Sequence, residues 1–257
     1  MRKQLHAFLK KSGLSKATDL FYNPLYNLIM TPIKRKRMMT FYSQFIKTGD
    51  LCFDIGANVG NRTEIFVKLG AKVIAVEPQP ACASLLQKKF LSNKNAVIVP
   101  KAIDSKIGTA ELYINPNKDV WTMSSMSKEF IEKQKQRGAD QYDSKIEVET
   151  TTMDELVKEY GTPRFVKIDV EGFETNVLMG LNTSLAALSF EYTPAMMQHT
   201  IECIRIVQKL MPDAKYNYSE METFKLNLPE WTDADQLMEI LKSLPQDSVE
   251  GDVYVKA

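Results

Sequence analysis

The stretch "CFDIGANVGNRTEIF", residues 52–66, decides how the rest of the chain is read. An apolar run, "LCFDIG" (51–56), carries Asp54 near its end, a glycine turn follows, and an amphipathic helix is predicted to begin at Asn61. Asn61 has the chemistry of a helix cap, Glu64 stands three residues on where a capping box would reach back, and Gly70 supplies a stop. A buried strand, a glycine turn and a helix form the outline of a nucleotide cradle. Yet Asn58 stands where a dinucleotide loop places its second glycine, the residue that lets backbone touch pyrophosphate. The loop therefore predicts a ligand that presents no phosphate to Gly56, Asn58 and Gly60.

Short apolar runs alternate with amphipathic segments on the C-terminal side of this loop. "KVIAVEP" (72–78), "AVIVPKAID" (96–104), "FVKIDVEG" (165–172) and "LSFEYTP" (188–194) read as buried strands, each followed by or preceded by a helical pattern. "TAELYI" (109–114) and "KIEVETTTM" (145–153) alternate with period two and read as more exposed strands. The polar stretch between them is expected to hold a short helix near 127–137, and insertions of such length are usually functional or mobile. Helices over 195–210 and 233–242 and a last strand, "DVYVKA" (252–257), complete the pattern. Strands alternating with helices imply an α/β fold with a mainly parallel sheet covered on both faces. Before residue 49 the chain reads instead as helical segments broken by Pro24 and Pro32. The expected organisation is an N-terminal helical extension over 1–48 and one domain over 49–257. In the extension, "IKRKRMMTFYSQF" (33–45) is read as a helix with a solvated basic end and an apolar face against the sheet.

Composition excludes several classes. With 44% hydrophobic and 25% charged residues among 257, the chain is globular, and a formal net charge of +1 gives no basic stripe for nucleic acid. No run approaches the ~20 apolar residues of a membrane span. Leu5, Phe8 and Leu9 with Arg2, Lys3, Lys10 and Lys11 make a basic amphipathic start, read as docking on its own domain in preference to a membrane surface. The cysteines, Cys52, Cys82 and Cys203, are 3 in number at spacings that fit neither zinc nor disulfides, so buried thiols and a cytoplasmic location are expected.

Glu77 narrows the ligand. It ends the second strand about 20 residues past the glycine turn, where a carboxylate accepts both hydroxyls of a ribose and repels a 2′-phosphate. An unphosphorylated adenosine with a polar group over the glycines satisfies both conditions, and S-adenosylmethionine is such a molecule. The motifs "FDIGANVGNRT", "VEPQP", "VETTTMDEL" and "VKIDVEGFETNVLMGL", in this order, resemble the FkbM family of S-adenosylmethionine-dependent methyltransferases over about residues 40–195. That resemblance implies the Rossmann-like seven-stranded class I methyltransferase fold, strand order 3-2-1-4-5-7-6 with the last strand antiparallel. It implies methyl transfer, usually to a hydroxyl oxygen of a natural product or glycan. It further implies a cofactor loop of Asp54, Gly56, Asn58 and Gly60, Glu77 on the ribose, a backbone contact from Ala102 to adenine, and Asp169 beside the reacting centre.

On the far side of the cofactor a hydroxyl needs a base to take its proton as the new bond forms. Asp169, Glu171, Glu174 and Glu191 stand near the relevant strand ends, and Asp169, Glu171 and Glu191 are the catalytic candidates. Strand alternation puts Lys167 on the side of Asp169. The same three carboxylates have the oxygen chemistry of a magnesium site, a reading ranked below a base, so no metal ligand is assigned. The bland alternatives are that Glu171 caps the following helix and that Glu191 pairs with a lysine. His199 is expected to be structural rather than catalytic. "VWTMSSMS" (120–127), with Trp121, Ser124 and Ser125, reads as a cover over the site, and Met123 and Met126 equally as core. The expected partner is a small-molecule or glycan acceptor. Two other readings stay open: a nucleoside-binding regulatory protein of the same fold, and an NAD-dependent oxidoreductase. The acceptor's identity and the oligomeric state are not legible.

Overall fold

A computed structural model describes residues 32–114, 124–136, 142, 144–221, 223–245 and 248–257. The expectations for Pro24, the basic amphipathic start, Trp121 and Met123 lie outside the described residues.

The central sheet has seven strands: β1 (Leu51–Ile55), β2 (Lys72–Val76), β3 (Ala96–Val99), β7 (Phe165–Ile168), β8 (Ala187–Tyr192), β9 (Lys215–Glu220) and β10 (Gly251–Lys256). Their spatial order is β3-β2-β1-β7-β8-β10-β9. β10 runs antiparallel to both β8 and β9, and the pairs among the other five strands are parallel. Counted within this sheet, the order is 3-2-1-4-5-7-6 with the seventh strand reversed. It is the class I methyltransferase arrangement that the family resemblance implies.

Alternation along each strand feeds two cores. Phe53, Ile74, Val166, Leu188 and Val253 face one way, against helices α5 (Met153–Tyr160), α6 (Glu174–Met179), α7 (Met197–Leu210) and α8 (Ala234–Lys242). Cys52, Val73, Phe165, Ala187 and Tyr254 face the other way, against α1 (residues 32–42) and α2 (Asn61–Lys68). On this second face Leu86 and Phe90 of α3 (Pro80–Phe90) cover Ala75. The reading of 33–45 holds. Met38, Phe41, Tyr42, Phe45 and Ile46 are buried while residues 33–37 are exposed, and the ring of Phe45 stacks on Phe165 and Tyr254 at 5.2 and 5.5 Å between centroids.

Two local expectations need correction. "AVIVPKAID" is two strands, because Pro100 has no N–H to continue a ladder. β3 stays in the central sheet, whereas β4 (Ala102–Ile103) pairs in parallel with β6 (Ser144–Thr151). β6 also pairs antiparallel with β5 (Gly108–Ile114), making a second, three-stranded sheet. The capping box at Asn61 does not form either. Gly60, at φ 78°, takes the cap position without a side-chain bond. The carboxylate of Glu64 turns outward to Lys68 and Lys89, at 2.7 and 3.1 Å. The short helix expected near 127–137 is α4 (Lys128–Gln136).

Candidate active site

The carboxyl ends of the central strands gather the candidate residues, as expected at the switch point of an open α/β sheet. Three residues of the glycine loop are left-handed: Gly56 at φ 79°, Asn58 at 52° and Gly60 at 78°. The first glycine is required by its own protein neighbour. A Cβ on Gly56 would sit 1.8 Å from the backbone oxygen of Asp169, so the β1 and β7 loops close on each other through the missing side chain. A Cβ on Gly60 would strike Leu86 at 2.6 Å. Both glycines are therefore explained by close packing inside the chain.

Asn58 and Glu77 are one unit. Glu77 is 7% exposed, and its two carboxylate oxygens accept the backbone N–H groups of Asn58 and Gln79, each at 2.8 Å. Burial nevertheless dominates and lifts the carboxyl to about 7, against the pull of those two donors. Each oxygen keeps a lone pair for a further donor. Together Glu77 and Asn58 border a cleft at the carboxyl ends of the strands. Ala102, Ile103, Leu112 and Met126 give it an apolar wall, while Gly56, Asp169 and Glu171 close its other end. Asp54 and Gly60 are not in this lining. Asp54 lies beneath the loop, 1% exposed, where it accepts the hydroxyl of Thr63, and burial raises its pKa.

A second cavity opens beyond Asp169 and Glu171. Arg62, Glu191, Met221, Glu250, Gly251 and Asp252 complete its lining. Asp169 and Glu171 thus border both spaces, and Glu191 borders only this one. Beneath them lies Lys167, fully buried, its ammonium 3.2 Å from Asp169 and 2.9 Å from Asp252. Burial alone would lower its pKa, but the two carboxylates reverse that and keep the lysine charged. Lys167 reaches Asp252 across an intervening strand, since β8 separates β7 from β10. Its register neighbour on β8, Ser189, is small.

The carboxyl of Glu171 is pushed up to about 8, chiefly by desolvation and then by the charges of Asp169 and Glu174. Glu191 is raised for the same first reason and by Glu171 and Asp169. Glu191 makes no ion pair among the described residues, so the lysine pairing considered for it is not formed. Nor does Glu171 cap the next helix. No side chain does so among the described residues: Glu174, the first residue of α6, instead accepts the N–H groups of Val170 and Gly172 in the preceding turn, at 3.2 Å each, while its other oxygen meets Nε2 of His199 at 2.9 Å. His199 is accordingly a structural partner of Glu174. Glu171 stands at φ 54°, left-handed, with its backbone carbonyl accepting the Ser125 hydroxyl at 2.6 Å.

Sequence reasoning missed Arg62, Glu250 and Asp252. One signal was present: Asp252 interrupts the apolar strand "GDVYV" as Lys167 interrupts "FVKI". That these two charges pair depends on the order of strands around β8, which neither segment carries. Among the described residues no group of three or more His, Cys, Asp and Glu is placed to hold a metal ion, and no helix is long and apolar enough to cross a membrane. The three cysteines are buried free thiols.

A curated relative, methyltransferase sdnD of Sordaria araneosa, is 29% identical over 155 residues, covering 50% of this chain and 59% of that protein. Solved structures similar to this chain include the precorrin-6y C5,15-methyltransferase of Geobacter metallireducens (TM-score 0.47, 8% identity, 87% of this chain and 88% of that one). Another is a SAM-dependent O-methyltransferase of Thermotoga maritima (TM-score 0.44, 10% identity, 86% and 64%). The model of the methyltransferase FkbM domain matches residues 54–225, from the strand that carries the glycine turn to the segment past β9, and the chain belongs to that family.

Proposed function

We propose that this protein is an S-adenosylmethionine-dependent methyltransferase acting on a hydroxyl oxygen of a small molecule or sugar. The observation that supports this most is the meeting of two cavities at Asp169 and Glu171. One has the chemistry of an adenosine site and the other is lined by hydrogen-bond acceptors.

The donor set fits the cofactor. Glu77 has lone pairs left for two ribose hydroxyls, and its N–H contacts to Asn58 and Gln79 fix its orientation beforehand. Ile103, Leu112 and Met126 offer apolar surface to adenine beside the backbone of Ala102. Gly56 and Asn58 border the polar end, with Asp54 and Gly60 holding the loop from below. Bound there, S-adenosylmethionine supplies an electrophilic methyl group on a sulfonium.

What the chain itself must do is align an oxygen and receive its proton. Among the described residues the second cavity carries Asp169, Glu171, Glu191, Glu250 and Asp252 beside the guanidinium of Arg62, so it favours a ligand rich in donors, such as a polyol. Glu171, raised to about 8, is an effective proton acceptor whenever it is ionised, because its basicity lies near neutral pH. Lys167 holds Asp169 to one side, leaving Glu171 and Glu191 to share the proton taken from the acceptor hydroxyl. A magnesium ion on these carboxylates is the lesser variant. It requires activity to disappear with a chelator and to return with magnesium. We further propose that residues 49–257 form the transferase unit behind a 1–48 helical extension, that the protein acts in the cytoplasm, and that nucleic acid is not its acceptor.

Calorimetry tests the reading directly, with S-adenosylmethionine, S-adenosylhomocysteine and NAD as titrants. Micromolar binding of both sulfur nucleosides without NAD binding is expected. NAD binding alone would move the protein to the oxidoreductases. Binding of the sulfur nucleosides without methylation of any hydroxyl-bearing acceptor in a broad panel would favour a regulatory nucleoside binder.

A further inference from the structure

Ser125 comes from the insertion between β5 and β6, yet it touches the turn that carries Glu171. It is 1% exposed. Its backbone exchanges both hydrogen bonds with Tyr113, Tyr113 N–H to Ser125 oxygen at 2.9 Å and the reverse at 3.1 Å, so the segment is bolted to the end of β5. Its hydroxyl accepts Ser127 N–H at 2.9 Å and donates to the Glu171 carbonyl at 2.6 Å. A serine hydroxyl has one proton to give, and here it is given to the catalytic turn. The neighbours on either side, Ser124 and Met126, line the cofactor cleft. Two residues further on, Ser127 accepts the N–H of Phe130 at 3.2 Å and so starts α4. Phe130 then packs so closely on Gly172 that a Cβ there would come within 2.9 Å.

The same four-residue stretch therefore faces the cofactor with two side chains and grips the catalytic turn with the one between them. The turn carries one strained residue: Glu171 has φ of 54°. Left-handed geometry at a non-glycine residue persists only where surrounding contacts impose it. Glu174 imposes it from within, through Val170 N–H and Gly172 N–H, and Ser125 imposes it from the insertion.

We infer that Ser125 is a positioning residue that couples occupancy of the cofactor cleft to the geometry of Glu171. The inference rests on the methyltransferase reading of the cleft. When Ser124 and Met126 are ordered by a bound nucleoside, Ser125 is held in place and the 169–174 turn is clamped with it. An empty cleft leaves the clamp weaker, so the proton acceptor is set only when the methyl donor is present.

Hydrogen exchange on the full chain, with and without S-adenosylhomocysteine, reads this coupling without any acceptor. In the unmodified protein the nucleoside should slow exchange in 124–131 and in 169–174 together. In Ser125→Ala it should still bind within roughly five-fold and still protect 124–131. Its protective effect on 169–174 should fall by about ten-fold, the size of one lost hydrogen bond. Ser125→Thr, which keeps the hydroxyl, should restore it. If Ser125→Ala does not fold, the near-isosteric Ser125→Cys, a weak donor, should give an intermediate loss. Undiminished protection of 169–174 in Ser125→Ala, or a wild-type protein in which the two segments respond independently, overturns the inference. Failure of S-adenosylhomocysteine to bind the unmodified protein is seen first, by calorimetry, and sinks the cofactor reading itself.

Discussion

The two cavities that meet at Asp169 and Glu171 are built by different physics. The polar end of the first cavity is local and mostly backbone: Gly56, Asn58 and Glu77 lie within one strand–helix–strand unit, and Glu77 is held by the N–H groups of Asn58 and Gln79. The acceptor side is assembled from α2, the 169–171 turn, β8, the loop after β9 and β10, and its groups are charges rather than peptide dipoles. Backbone donors tolerate burial because they are paired wherever they lie. Side-chain carboxylates must be neutralised by a partner, a proton or a ligand. The first region is a preformed mould, and the second is an electrostatic compromise centred on Lys167.

That comparison breaks most directly at Lys167. Lys167→Met removes the cation that serves Asp169 and Asp252 and leaves the Asp252 side chain, 13% exposed, with the Tyr254 hydroxyl but without the ammonium. Breaking a buried pair from one side costs ~3–5 kcal/mol, so urea unfolding should show a loss of that size. Adding Asp252→Asn should recover part of it by removing the uncompensated charge. A loss under ~1 kcal/mol would mean that the acidic side does not depend on this lysine.

On the cofactor side the expected effect is smaller and falls on binding. Glu77→Ala should weaken S-adenosylmethionine by ~1.5–3 kcal/mol, the range for hydrogen bonds to a charged group. The pH profile sharpens this. With the Glu77 carboxyl raised to about 7, the ionised form that accepts two ribose hydroxyls is present above that pH and is lost as pH falls through it. Affinity should therefore drop on acidification through about 7 in the unmodified protein and stay flat in Glu77→Gln, as calorimetry at several pH values would record. Identical profiles in the two proteins would remove Glu77 from the ribose.

The contrast between the regions also explains how much the sequence disclosed. The alternation of apolar runs with helices disclosed a mainly parallel α/β sheet, and the place of Glu77 at the end of the second strand followed from its distance to the glycine turn, because these are short-range relations. The strand order came from the family resemblance. The role of Gly56 was not legible. Its clearance serves the Asp169 carbonyl more than 100 residues along the chain, and only the β1–β7 pairing brings the two together. Pro100 was visible, yet the transfer of Ala102 and Ile103 to a second sheet depends on β6 as a partner. Glu174, and not Glu171, takes the N–H groups of the turn, and among the described residues no side chain caps the helix that follows. Two backbone N–H groups and His199 draw Glu174 inward, whereas the left-handed turn leaves the Glu171 carboxylate to the cavities. Charges in apolar strands were the readable trace of the acceptor side. Their partners were set by the sheet.

Glu171 gives the smallest effect and the one with the least familiar sign. Its folded-state carboxyl lies at about 8, above the ordinary 4.5, so folding favours its protonated form. The stability this contributes is complete below about 4.5 and is lost as pH rises through 8. Glu171→Gln carries no such penalty. It should match the unmodified protein at pH 4 and become more stable across the window, reaching a plateau above about 8. Because Glu171 is half-buried, solvent reduces the gain to ~1 kcal/mol, or roughly 2–4 °C in Tm for a chain of this size. Methyl transfer in the same variant should collapse while S-adenosylhomocysteine affinity is kept. A variant that is less stable at pH 9 would show that Glu171 is held by contacts and not tolerated for its chemistry, and the acceptor side would then be a mould like its neighbour. A gain in stability joined to a loss of turnover is the signature of a carboxylate that the fold bears at a cost because proton transfer requires it.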